Sequence, residues 1–328
     1  MTRVLITGSS GFVGSAICEA LAGQGVETVG YDLAASRFTS APWFDKVSFV
    51  TGNICDGDAL EAVLADHAVT HIVHAAALTP DEERELMRPD RIAEVNLVGS
   101  CRLAMAVAAR RPNCQILHLS SIAVYGSSAP DIHGRFDEEA TRPQPSALYG
   151  VTKFAAEMAM CRLADLHRLD LQIVRLGPLF GPWEHASGVR DTLSPHYQIA
   201  RAARSGAPCV LPRNVAADWF YSRDAARKIA TLLLTQRSSH RLLNLGCGQI
   251  STLTDWCEAL RAFIPDFRWT TDTKTPTIRY GYGKDRPALG TARLDAVIPP
   301  GTRSLREAAS DYLSWLDVYG PCLEERRT

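Results

Sequence analysis

Val4-Leu5-Ile6-Thr7-Gly8-Ser9-Ser10-Gly11-Phe12-Val13-Gly14 runs from an apolar β-forming triplet into a glycine-rich turn, and the helix-forming stretch Ser15–Leu21 follows at once. In the order strand, glycine turn, helix, a backbone can close on a pyrophosphate. The glycines permit close approach, and the helix N-terminus offers unpaired N–H groups and partial positive charge. Gly8, Ser10, Gly11, Phe12, Val13 and Gly14 are the cofactor contacts expected of this turn. Eighteen residues after Gly14, at the end of a second apolar run (Glu27–Tyr31), stands Asp32. A carboxylate there accepts hydrogen bonds from the adenosine ribose and repels a 2′-phosphate, so NAD is expected over NADP, with nearby Arg37 the competing influence.

Further strand-like runs at Thr28–Tyr31, Val47–Val50, His71–His74, Ile116–Leu119 and Leu171–Arg175 alternate with helix-like stretches at Gly11–Gln24, Asp58–His67, Arg91–Arg111 and Leu148–Arg168. Strands separated by helices predict an α/β protein with a doubly wound parallel sheet, the Rossmann arrangement. After Gly177 glycine and proline become frequent and the regular alternation stops. The expected division is an NAD-binding domain over 1–175 and a smaller C-terminal substrate-binding region over 176–328, with 218–248 returning to the core domain. A last helix is expected from Ser304, where Ser304-x-x-Glu307 has capping-box spacing, to about Tyr319, with the tail Glu324–Thr328 frayed and solvated.

The 328 residues are 46% hydrophobic and carry a formal net charge of −1, so no charge excess points to nucleic acid or a membrane surface. No consecutive apolar run approaches the roughly 18 residues that span a bilayer. The first strand starts almost at the first residue, which leaves no room for a signal peptide, and a cytoplasmic location is expected. Nine cysteines, an odd number without a CxxC, read as reduced small hydrophobes. Glu184, His185 and His196 lack ligand spacing, so no metal is expected.

Tyr149-Gly150-Val151-Thr152-Lys153 places a phenol and an ammonium on one helical face. A tyrosine with its ordinary pKa of about 10 is a poor base at neutral pH, but a neighbouring cation favours the phenolate. The pair can then take a proton from an alcohol as hydride leaves its carbon, or return one to a carbonyl. Ile116–Leu119 runs into Ser120-Ser121-Ile122-Ala123-Val124-Tyr125-Gly126, so Ser121 sits at the carboxyl end of a parallel strand, where open α/β sheets bind ligands.

Taken in order, TGSSGFVG (Thr7–Gly14), Asp32, His74-Ala75-Ala76-Ala77, Asn96-Leu97-Val98-Gly99, SSIAVYG (Ser120–Gly126), YGVTK (Tyr149–Lys153), RLGPLFGP (Arg175–Pro182) and DWFYSRD (Asp218–Asp224) resemble the extended short-chain dehydrogenase/reductase family of nucleotide-sugar epimerases and dehydratases. The resemblance implies Ser121, Tyr149 and Lys153 as catalytic residues, with Ser120 structural and Lys153 also bonded to the nicotinamide ribose. It implies that Ala75, Ala76, Ala77 and Asn96 border the cofactor, and that Asn53-Ile54 stands beside the adenine where the family usually has an aspartate and an apolar residue.

Three departures bear on the substrate. Family dehydratases carry Asp-Glu directly after the catalytic hydroxyl residue; here Ile122 and Ala123 can transfer no proton, which argues against dehydration. Pro178 and Ala217 replace an asparagine and a phosphate-gripping arginine usual in nucleotide-sugar members, which shifts the expectation toward a smaller polyhydroxy substrate. The substrate contacts expected are Thr79, Ser121, Ile122, Ala123, Trp183 and Arg190, the last as a fork for a carboxylate. The charged run Asp81–Glu85 is expected either to border the same pocket or to form a solvated face. The activity expected is NAD-dependent oxidation of a secondary alcohol on a sugar, sugar acid or related small molecule. An epimerase that keeps its keto intermediate is the alternative; a non-catalytic NAD-binding protein is opposed by the intact Ser121, Tyr149 and Lys153. The helices Arg91–Arg111 and Leu148–Arg168 carry apolar residues on more than one side, and with the resemblance this implies a homodimer.

Overall fold

The computed structural model describes residues 2–235, 238–280 and 283–324. Seven strands form one parallel sheet: β1 (Arg3–Thr7), β2 (Glu27–Asp32), β3 (Val47–Thr51), β4 (His71–His74), β5 (Gln115–Ser121), β6 (Asp170–Leu176) and β7 (Leu242–Leu245). Their order is β7-β6-β5-β4-β1-β2-β3, a doubly wound arrangement with its switch between β1 and β4. Thr7 pairs with Tyr31 and His74, His74 with His118, and Ser121 with Leu176. This register brings Asp32, His74 and Ser121 to one carboxyl edge.

Alternation within β1 covers both faces of the sheet. Val4 and Ile6 pack with Ile17 and Leu21 of α1 (Phe12–Gly23) and with Ile229 of a later helix, whereas Leu5 packs with Leu60, Ile72 and Leu103 on the other side. That second face is built by α2 (Gly57–Asp66), α4 (Pro89–Arg110) and α5 (Leu148–His167), after the short α3 (Glu82–Met87). α6 (Pro195–Ser205) belongs to the substrate half, and α7 (Ser222–Leu234) crosses back to pack on α1 before β7 pairs with β6. α8 (Leu253–Arg261) and α9 (Leu305–Glu324) complete the substrate side.

The differences from expectation have local causes. α4 starts two residues early because Pro89 occupies its first turn, where a missing N–H costs nothing. It contains a π turn, Glu94–Val98, that periodicity does not reveal. α4 is also the one helix among the described residues long and apolar enough to cross a membrane, with a mean hydropathy of 1.4. Counting consecutive apolar residues missed it because Arg91, Glu94 and Arg102 interrupt the run; Leu103, Ala104 and Val107 bury its inner side in the core. α9 begins with the expected box, Ser304 Oγ donating to Glu307 at 2.7 Å, but passes Tyr319 and Pro321 to Glu324. Tyr319 packs on Trp183 and Trp315, which holds the last turns down. Of the tail expected to fray, 325–328 lie outside the described residues.

Candidate active site

One cleft of about 1160 Å³ runs along the carboxyl edge from Asp32, past the glycine turn, to Ser121, Tyr149 and Lys153 and on to Trp219 and Arg286. That exceeds the volume of a typical single-ligand pocket, so there is room for a dinucleotide and a second molecule.

At the turn, Gly8 has φ +75°, and a Cβ there would sit 2.7 Å from the Ala76 nitrogen; one on Gly14 would sit 2.0 Å from the Gly8 oxygen. Only glycine lets the turn lie this close to the Ala75–Ala76 backbone and α1 this close to the turn. Gly11 is the N-cap residue and brings no side-chain cap, and the first helical bond is Ser15 N–H to Gly11 O. The amides of Phe12, Val13 and Gly14 therefore face the cleft without helical acceptors. Asp32 accepts from the amides of Ser10 (2.9 Å) and Leu33 (2.7 Å). Burial pushes its carboxyl above the usual carboxylate range, while those two amides oppose the shift. Arg37 is directed away, to the Cys322 carbonyl at 3.5 Å. This cradle with an acid at its far end fits NAD, and Gly8, Gly11, Phe12, Val13, Gly14, Asp32, Asn53, Ile54, Ala75, Ala76 and Ala77 all border it.

Two residues expected to touch the cofactor, Ser10 and Asn96, are not part of the cleft lining. Ser10 spends its amide on Asp32 and its hydroxyl on the Ala34 carbonyl (2.7 Å). Asn96 is buried; Oδ1 accepts from Leu78 N–H, and Nδ2 donates to Leu78 O and Thr152 Oγ1. It fastens the loop after β4 to the helix that carries Tyr149. Asn53 borders the cleft, and its Oδ1 accepts from the Cys55 N–H at 2.9 Å.

The strand-to-turn junction places Ser121 at the end of β5, its Oγ accepting from Ala123 N–H at 3.1 Å. Tyr149 lies in the first turn of α5, whose Tyr149 N–H donates to Glu85 of α3 at 3.4 Å, and Lys153 follows one turn later. Lys153 is 2% exposed, and burial lowers its pKa to about 8 against the opposing charge of Glu157. Beneath it, Glu157 accepts a hydrogen bond from Ser120 Oγ and forms a forked pair with Arg175 at 3.0 and 2.7 Å. The Arg175 guanidinium lies over the Tyr125 ring, and Tyr125 donates to Asn244 at 2.9 Å. His74, held between Thr7 and Ser100 (2.7 and 2.9 Å), has its pKa lowered to about 3 by burial and by the Lys153 charge. Glu157 escaped the sequence reading, although an acid four residues after Lys153 on the same helical face was the available signal.

Thr79, Ile122, Ala123 and Arg190 line the cleft, as do Asp81–Glu85. Trp183 does not. With φ +73° it turns into the core against Phe38, Trp43 and Trp315, and its Nε1 donates to Glu19. Arg190 is no free fork: Nη2 pairs with buried Glu184 at 2.9 Å. Ser146, Thr192, Trp219, Tyr280 and Arg286 also line the cleft; Trp219 belongs to the DWFYSRD run, but nothing in that run marked it as a pocket residue.

A glycine-turn dinucleotide cradle ending on Ser121, Tyr149 and Lys153 defines an NAD-dependent enzyme of the extended short-chain dehydrogenase/reductase type. The chain belongs to the NAD dependent epimerase/dehydratase family, whose model matches residues 4–246. It is 27% identical over 293 residues to dTDP-L-rhamnose 4-epimerase of Burkholderia thailandensis, covering 79% of this chain and 80% of that one. It is 31% identical over 208 residues to UDP-glucose 4-epimerase of Mycolicibacterium smegmatis, covering 62% and 64%. Among solved structures, dTDP-glucose 4,6-dehydratase of Bacillus anthracis in complex with NAD superposes with a TM-score of 0.80 at 19% identity, over 99% of both chains. The chemistry is hydride transfer between NAD and a carbinol of a carbohydrate-type molecule.

Proposed function

We propose that this enzyme oxidises a secondary alcohol of a small polyhydroxy compound, a sugar or sugar acid without an attached nucleotide. Tyr149 takes the hydroxyl proton on its phenolate oxygen, Ser121 donates a hydrogen bond to the same substrate oxygen, and Lys153 holds the phenolate charge. Bound NAD supplies the hydride acceptor. The observation that carries the reading is the lining beyond Ser121. Ile122 and Ala123 offer no acid or base for eliminating water, Pro178 offers no donor, and Ala217 is buried without reaching the cleft. The rings of Trp219 and Tyr280, 5.2 Å apart, border that end. The relatives named for nucleotide sugars make an epimerase the second reading, because transient oxidation uses the same three side chains.

The reading includes a cytoplasmic homodimer. Val98 and Met105 of α4 and Val151, Met158 and Leu166 of α5 stay between 39% and 59% exposed after the sheet has taken Leu103, Val107 and Met160. A two-fold axis lets this patch cover itself. Purified protein incubated with NAD and a panel of sugars, sugar acids and nucleotide sugars tests the function. Accumulation of NADH with a nucleotide-free compound is expected. Isomerisation without NADH, or turnover of nucleotide sugars alone, assigns the epimerase reading instead.

A further inference from the structure

Arg190 reaches the cleft from the substrate half, yet its guanidinium lies against the glycine turn. Its Cζ stands 5.2 Å from the ring centre of Phe12, the first residue of α1, whose amide is one of those without a helical acceptor. The pairing of residue 190 with Thr79, with Thr79 N–H donating to Val189 O at 2.8 Å, fixes the backbone of this segment across the cleft from the turn. Glu184 sets the side chain. It is fully buried, pairs with Arg190 Nη2 at 2.9 Å, and is itself held by the Ser194 amide at 2.7 Å and the Ser194 hydroxyl, at the N-cap of α6. Arg190 Nε is buried and has no hydrogen-bond partner. The side chain as a whole stays 25% exposed and lines the cleft, so an anion bound there can meet the guanidinium. Asp191 is not that anion, because Arg84 holds both its oxygens at 2.6 Å.

We propose that Arg190 is a cofactor ligand that closes on the diphosphate of NAD from the side opposite the glycine turn, with Glu184 as its positioning residue. A fixed guanidinium suits phosphate oxygens, and the α1 amides already draw that anion to this point. The inference redirects Arg190 from a substrate carboxylate to the cofactor. It rests on NAD binding and not on which alcohol is oxidised.

The test is calorimetric binding of ADP-ribose and of adenosine, which lacks the diphosphate, to the full chain stripped of NAD, comparing wild type with Arg190→Gln. ADP-ribose affinity is expected to fall by about tenfold to a hundredfold, the loss of one charge-assisted contact, while adenosine affinity stays within about twofold. Glu184→Gln should give a smaller loss in the same ligand-selective sense. Unchanged ADP-ribose affinity, or an equal loss for adenosine, overturns the proposal. Should Arg190→Gln not fold, Arg190→Lys decides. That variant keeps the charge and loses the fork, so a drop confined to ADP-ribose supports the assignment, and no drop refutes it.

Discussion

Replacing Lys153 with methionine should stabilise the protein without bound NAD while abolishing turnover. The ammonium is 2% exposed, and its pKa falls from 10.5 to about 8, chiefly through burial, even with Glu157 pulling it up. At 1.36 kcal/mol per unit, holding that charge in the folded state costs about 3 kcal/mol. Between 8 and 10.5 the unfolded chain binds more protons than the folded one, so wild-type stability rises with pH across that window; below 8 the full cost is present. Methionine fills a similar volume and carries no charge. Urea unfolding of both proteins, freed of NAD, should show the variant more stable by about 2–3 kcal/mol at about pH 7, with the gap closing toward about pH 10. A variant no more stable at neutral pH, or one whose advantage does not change with pH, would refute the reasoning. A lysine that costs stability and is retained fits a site built for chemistry.

Tyr149→Phe keeps the ring and loses the ionisable oxygen, so NAD affinity should hold while kcat falls by about a hundredfold to ten-thousandfold, read by NADH formation. Wild type should bind NAD more tightly than NADP, and Asp32→Asn, which removes the charge facing a 2′-phosphate, should narrow that preference by about tenfold in paired titrations; equal wild-type affinities would remove Asp32 as the selector. Light scattering at micromolar concentration should report twice the chain mass for wild type, and Met158→Glu, on the exposed side of α5, should shift it to the monomer; a monomeric wild type would exclude the interface.

The sheet was legible because each crossover announces itself: an apolar run, a turn, then helical periodicity, repeated to residue 175. The reactive trio was legible because Ser121, Tyr149 and Lys153 lie in short segments whose own geometry aims them at the carboxyl edge. What stayed hidden depends on contacts distant in sequence. Trp183 reads as a pocket residue beside polar neighbours, and only its left-handed backbone and the rings of Phe38, Trp43 and Trp315 put it in the core. Asn96 reads as a cofactor contact, but it lies in a π turn and outside the cleft lining, where it serves Leu78 and Thr152. Arg190 reads as a free fork, yet Glu184 and Ser194 assign its direction.

The central claim is that hydride leaves a substrate carbinol for the nicotinamide as Tyr149 takes the hydroxyl proton. A substrate found in the panel, deuterated at its reacting carbinol carbon, tests this in a single turnover with stoichiometric NAD. Deuterium should appear at C4 of the nicotinamide with wild type and stay on the substrate with Tyr149→Phe. Turnover of that substrate with the deuterium never reaching the nicotinamide would contradict the account.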